Sequence, residues 1–212
     1  EYFHYLILIK TSNSTGSLGF YASKPSIHTF TGRGERNMKK ALLVLPVALA
    51  LTGCGSEIDS VKDGIMDFNK TITLGQALDN WKSCNDSNWE TFETDNGVTV
   101  VQFTCSHKIL GFVEKAKGLL SKKEQAQASY FNIASNVQTF QFTLNQDDSF
   151  QIDNVQVETT WEDGTKFNDS QKPVEQLETA YNNNFNFDPA QLNKASAAQM
   201  AYSFHIIKSR AK

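Results

Sequence analysis

The chain is short of cysteine, histidine, basic charge and long apolar runs, and each shortage excludes something. In 212 residues there are 3 Cys and 4 His, and 20 Lys and Arg stand against 23 Asp and Glu. The most apolar stretch is Ala41 to Leu51. At about 1.5 Å per residue it covers only half of a roughly 30 Å hydrocarbon core, and Pro46 weakens it further as a helix. A permanent membrane span is therefore not expected there. No G-x-S-x-G and no phosphate-cradling glycine loop occurs, so the common hydrolase and nucleotide signatures are missing. Cys84, Cys105 and His107 lack the second C-x-x-C or H-x₃-H pair of a metal site. "NQDDS", residues 145–149, has calcium-friendly oxygens but neither the Gly nor the closing Glu of an EF-hand loop, and reads as a turn. No metal and no cofactor is expected.

What is present first is an address. Met38 is followed by Lys39 and Lys40, then the apolar run, then Leu51-Thr52-Gly53-Cys54. A positive start, a short apolar middle and small residues at the end make a signal peptide, with the lysines on the cytoplasmic side. The closing tetrapeptide resembles the lipobox of bacterial lipoproteins, in which a leucine, two small residues and a cysteine are read together. That resemblance implies cleavage between Gly53 and Cys54 and acyl chains on Cys54. A single chain holds a protein to a bilayer only marginally, whereas several make release negligible. In the resembled family an aspartate after the cysteine commonly keeps the protein on the inner membrane. Gly55 stands there instead, so the expectation is the outer membrane, facing the periplasm.

The same resemblance organises the chain. Residues 1–37 read as upstream sequence carried in frame or as a long leader, and residues 38–53 as the signal peptide. Residues 54–70, polar and glycine-containing, read as a tether that gains order near Ile65 to Phe68. Residues 71–212 read as one globular domain. From Cys54 onward the chain keeps 14 Lys and Arg and 21 Asp and Glu. An acidic domain is poorly suited to phosphate backbones, which reward clustered Lys and Arg, so nucleic acid is not an expected partner. Anionic lipid would repel it as well, which leaves the acyl anchor as the hold on the membrane. With Cys54 lipidated, Cys84 and Cys105 remain, and an even remainder in an oxidising compartment reads as one disulfide.

The rest of the pattern is α+β. Thr73 and Gln76 form a capping box before Leu74, Ala77, Leu78 and Trp81, which share one helical face and predict a helix over 74–83. The expected disulfide then staples the end of this helix to a strand. Asn96-Gly97 predicts a two-residue hairpin turn with both residues at positive φ, and Val98 to Cys105, rich in β-branched and aromatic residues, predicts the strand that follows it. Phe112, Val113, Ala116, Leu119 and Leu120 predict a helix from 112 to about 123, with an extension toward Tyr130. Phe140, Phe142 and Leu144 alternate with Thr139, Gln141 and Thr143, and 146–149 supply the turn. On the return, Phe150 and Ile152 have one parity and Val155, Val157, Thr159 and Trp161 the other, which predicts a β-bulge at Asp153-Asn154. Pro173, Val174, Leu177 and Tyr181 suit a short helix. Asp188-Pro189 opens a last one, with Leu192, Ala195 and Tyr202 inward. The expected fold is a four-stranded antiparallel sheet with helices on one face, in the order α-β-β-α-β-β-α-α.

No catalytic constellation emerges. His107 and His205 are the only histidines after Cys54, and His107 reads as a surface residue at a strand end. The carboxylates of Glu90, Glu93 and Asp95, and of Glu158, Glu162 and Asp163, read as solvated. Two functions stay open. One is a membrane-anchored binding or structural module of the envelope, meeting an envelope protein or a small ligand, with Trp89, Trp161, Phe185 and Phe187 as an interaction patch. The other is an envelope hydrolase acting on peptidoglycan or glycan. The hydrolase needs two carboxylates, or His107 with one, converging in a cleft. In general style the chain is similar to the small lipoproteins of Gram-negative envelopes.

Overall fold

The structure, a computed structural model, describes residues 56–147, 149–185 and 187–211. The signal stretch, Gly53 and Cys54 lie outside the described residues. Five strands form one antiparallel sheet in chain order: β1 (Cys84–Glu93), β2 (Thr99–His107), β3 (Ile133–Leu144), β4 (Phe150–Trp161) and β5 (Lys166–Ser170). The helices are α1 (Ser56–Lys62), α2 (Leu74–Asp79), α3 (Leu110–Gly118), α4 (Lys122–Ala126), α5 (Pro173–Tyr181) and α6 (Lys194–Arg210). The α+β class and the antiparallel sheet agree with expectation. The strand count and the element order do not.

The additional strand is β5, and it comes from a hairpin built like the first one. In residues 94–98 Thr94 N–H donates to Val98 O at 2.9 Å and Gly97 N–H to Thr94 O at 2.8 Å. In residues 161–165 Trp161 N–H donates to Thr165 O at 2.9 Å and Gly164 N–H to Trp161 O at 2.9 Å. Gly97 and Gly164 sit at φ 75° and 83°. Both are three-residue loops with glycine in the left-handed region, where a Cβ would be strained. The expected two-residue turn at Asn96-Gly97 is corrected accordingly, since Asn96 is not among the positive-φ residues.

The β-bulge lies where the parity switch placed it. Pairing runs from Gln141 opposite Asn154 to Phe142 opposite Ile152, which leaves Asp153 as the additional residue. Thr143 Oγ1 donates to the Asp153 carboxylate. The bulge keeps Phe150, Ile152, Val155 and Trp161 on one side despite their mixed parity. Residues directly opposite in a ladder share a face. Trp89, Phe103, Phe140 and Val155 therefore stand in one inward row across four strands.

The core divides into two clusters that draw their sheet residues from this one inward face. The first joins Val101, Phe103, Phe140, Phe142 and Val155 with Val61 of α1, Leu74 and Leu78 of α2, and Leu177 of α5. The second joins Ile133 and Trp161 with Val113 of α3, Phe131, and Ala197, Met200 and Phe204 of α6.

Several local expectations are corrected. Residues 56–70, read as a tether, are folded: α1 is helical, and Val61 and Met66 are buried in the first cluster. The capping box of α2 is present, with Gln76 N–H to Thr73 Oγ1 at 3.2 Å and Thr73 N–H to Gln76 Oε1 at 3.0 Å. The helix ends at Asp79, however, and Cys84 begins β1. The Cys84–Cys105 disulfide therefore links adjacent strands β1 and β2 rather than a helix end and a strand. The helix expected over 112–123 is broken in two, because Ser121 caps α4 through Glu124. Asp188-Pro189 opens only a 3₁₀ turn, and α6 starts later, at the Asn193–Ser196 capping box. That later start rotates the helix: Ala197, Met200 and Phe204 face inward, while Tyr202 is 69% exposed.

Candidate functional site

The inward face binds the helices, and the outer face is largely polar but also carries Phe92, Val100 and Val137. In its central row, Glu90, Gln102, Gln141 and Asn154 stand side by side on β1 to β4. Gln102 Nε2 donates to Glu90 Oε1 at 2.5 Å, Gln141 Nε2 to Gln102 Oε1 at 2.8 Å, and Asn154 Nδ2 to Gln141 Oε1 at 3.1 Å. The direction follows from chemistry. An ionised carboxylate only accepts, so Gln102 must turn its amide nitrogen toward it, and each neighbour along the row must do the same. The row is a polarised ladder ending on a negative charge. Asn88, Thr104, Thr139, Gln156 and Ser170 form the next row. The surface is broad, with Phe92 and Val100 paired in the row on the other side of the ladder, and its donors and acceptors are held in register by the strands.

A second polar feature is internal. Ser83 and Gln138 are at most 1% exposed, and His107 is 7% exposed. Ser83 Oγ lies 3.0 Å from His107 Nδ1, and His107 Nε2 lies 2.9 Å from Gln138 Oε1. Gln138 Nε2 donates to Gln176 Oε1 at 3.0 Å, and Gln176 Nε2 donates to Gln171 Oε1 at 3.4 Å. Because Gln138 gives its amide nitrogen to Gln176, its oxygen faces the histidine. The imidazole proton then sits on Nε2, and bare Nδ1 accepts from the Ser83 hydroxyl. Burial holds the His107 pKa below its ordinary 6.5, against the opposing pull of its bonds to Gln138 and Ser83. The expectation of a surface histidine is corrected, because β2 turns His107 inward with Phe103 and Cys105. Its hydrogen-bond partners are neutral, and the Trp81 and Phe187 rings close around it at 5.2 and 5.3 Å. A serine hydroxyl shut from solvent beside a neutral imidazole positions strands. It offers a substrate no approach.

The four aromatics expected as a patch are dispersed. Trp161 is buried in the second cluster, with its Nε1–H on Tyr130 O at 2.8 Å. Trp89 is half-buried on the first cluster, 4.9 Å from Phe103, and donates to Asp79 Oδ1 at 2.7 Å. Phe187 packs against His107 and Phe112, and Phe185 lies 6.0 Å from Lys108 Nζ. Cys84 and Cys105 are joined, as expected. Of the carboxylates, Glu158 pairs with Lys166 at 2.8 Å and Asp163 with Lys208 at 2.6 Å. The bonds from Lys208 and Thr165 draw the Asp163 pKa down to about 2. The Glu158 and Asp163 carboxylates are each held by a lysine, Glu90 ends the ladder, and none of the three faces His107.

Two shallow concavities lie among the described residues. One of about 270 Å³ is lined by Gln127, Ser129, Tyr130, His205, Lys208 and Ser209. Another of about 170 Å³ lies beside Phe68, Asn69, Glu178, Tyr181 and Asn182. Burial raises the Tyr181 pKa to about 12. Among the described residues no three of His, Cys, Asp and Glu gather as metal ligands, and no helix is long and apolar enough to cross a membrane. The ladder residues were legible in sequence only as the polar half of an alternating strand. Their alignment needs the register of four strands at once. Comparison with family models, with curated proteins and with solved structures finds no match.

Proposed function

We infer that this protein is a lipid-anchored, periplasm-facing binding or structural module of the bacterial envelope, held at the outer membrane by acyl chains on Cys54. It meets its partner, an envelope protein or a small ligand, through the outer face of the sheet. The observation that carries the binding role is the ladder Glu90–Gln102–Gln141–Asn154. It is a preorganised row of hydrogen-bonding groups on a face that no core cluster covers. Rigid strands hold such groups at low entropic cost, which favours a partner rich in amides or hydroxyls. The anchor rests on Leu51-Thr52-Gly53-Cys54 after a signal-like stretch.

Two measurements test the reading. Mass spectrometry of protein from native membranes is expected to find an acylated Cys54 as the first residue, and an unmodified thiol there refutes the anchor. Crosslinking in intact cells is expected to capture a partner with the wild type and to lose it with Gln141→Arg, which puts a bulky charge in the centre of the ladder. Unchanged capture refutes the sheet face as the contact.

A further inference from the structure

The expected tether is folded, and that changes where the domain sits. α1 starts at Ser56 and is fixed to the body of the protein along its length. Val61 is fully buried, Ile58 packs against the first cluster, and Lys62 pairs with Asp79 of α2 at 2.6 Å. Lys62 Nζ also lies 5.5 Å above the Trp89 ring. Just beyond the helix, Leu74 N–H donates to Gly64 O at 2.8 Å, and a Cβ on Gly64 would run into the Phe150 ring. A helix gripped at this many points does not swing as an independent arm.

Chain geometry then bounds the anchor. An extended chain spans at most about 3.6 Å per residue, so the Cα of Cys54 lies within about 7 Å of that of Ser56, whatever path Gly55 takes. Five further helical positions, about 7.5 Å, reach the buried Val61. Acyl chains on Cys54 place its sulfur at the boundary between headgroups and hydrocarbon. We propose that the domain is seated directly on the bilayer, with the first turn of α1 at the lipid headgroups and the molecule held in one orientation. This rests on the reading of Cys54 as acylated. The surface concerned carries Glu57 and Asp59 in that first turn. Anionic lipid repels such a surface, whereas zwitterionic headgroups present ammonium groups to it. The partner surface is therefore zwitterionic lipid. A domain seated this way cannot reach across the periplasm, and whatever it binds must come to the membrane.

The test uses full-length mature protein, purified from native membranes, in zwitterionic vesicles. A spin label is placed at Asp59→Cys or at Tyr202→Cys, both exposed positions, the second on α6 in the other cluster. A paramagnetic chelate on the lipid headgroup reports proximity. Relaxation enhancement several-fold stronger at position 59 than at 202 is expected. The difference should vanish when about ten Gly and Ser residues are inserted between Gly55 and Ser56, a length that behaves as flexible coil. Equal enhancement at the two positions, a stronger effect at 202, or a difference that survives the insertion overturns the seating and leaves the acylation standing. Protein that fails to float with the vesicles overturns the acylation itself, and the seating with it.

Discussion

His107 Nδ1 lies 3.0 Å from Ser83 Oγ, and the pair joins the segment before β1 to the last residue of β2 where solvent does not reach. The backbone repeats the link, with Lys108 N–H donating to Ser83 O at 2.9 Å. Burial keeps the imidazole neutral, so the unfolded chain binds a proton that the folded one resists. Stability from this group is complete above the unfolded value of 6.5 and is lost as pH falls through it. One proton bears at most about 1.4 kcal/mol per pH unit. Chemical denaturation between pH 7.5 and 5 is expected to show a falling midpoint, with a shallower slope in His107→Gln. Equal slopes in the two proteins would show that His107 titrates alike folded and unfolded.

Ser83→Ala removes the donor and leaves Nδ1 buried without a partner. An unsatisfied buried acceptor costs about 1–3 kcal/mol, so urea denaturation is expected to show a loss in that range. Ser83→Thr keeps a hydroxyl and is expected to retain more of the stability. A loss below about 0.5 kcal/mol for the alanine variant would mean that water or another group satisfies the nitrogen.

Cys84 and Cys105 close a loop of 21 positions, and Cys105 is fully buried between Phe103 and His107 along β2. In the chain-entropy model a loop of this size is worth roughly 3 kcal/mol. Cys84→Ala with Cys105→Ala is expected to lower the melting temperature by about 6–12 °C, at about 2–4 °C per kcal/mol for a domain of this size. Calorimetry checks this, and a shift under about 4 °C would show that the strand pairing alone holds this edge.

The outer ladder behaves differently, because its members are half-exposed or exposed. Glu90→Gln removes the charge that orients the amides, yet each exposed bond contributes only about 0.5–1.5 kcal/mol. The melting temperature is expected to move little, while the side-chain amide protons of Gln102 and Gln141 exchange faster in NMR spectra. Unchanged exchange would show that the ladder is not ordered by its carboxylate.

How far the sequence could be read follows from which signals were local. Thr73 and Gln76 announce α2 because both halves of a capping box lie within four residues. The bulge at Asp153 is visible as a parity switch because Phe150–Ile152 and Val155–Trp161 carry strong apolar alternation. β5 escapes notice because only Phe167 among its five residues is apolar, although Asp163-Gly164 marks the turn into it. The phase of α6 is set by Asn193 and Ser196, and in an alanine-rich helix apolar spacing says little about which side is buried. The ladder and the inward turn of His107 depend on cross-strand register, which no single segment contains.

α1 is the sharpest contrast between the two views, and one substitution decides it. As part of a tether, Val61 would be solvated, and trimming it would cost nothing. In the fold it is fully buried against the first cluster. Val61→Ala removes two methyl carbons, at about 0.8 kcal/mol each for burial, and leaves a cavity besides. A loss of roughly 2–3 kcal/mol is expected in urea denaturation of the protein beginning at Cys54. Asp59→Ser, at an exposed position two residues earlier, is expected to stay within about 0.5 kcal/mol of wild type. Silence at both positions would return residues 56–62 to a tether and remove the support for an oriented domain on the membrane.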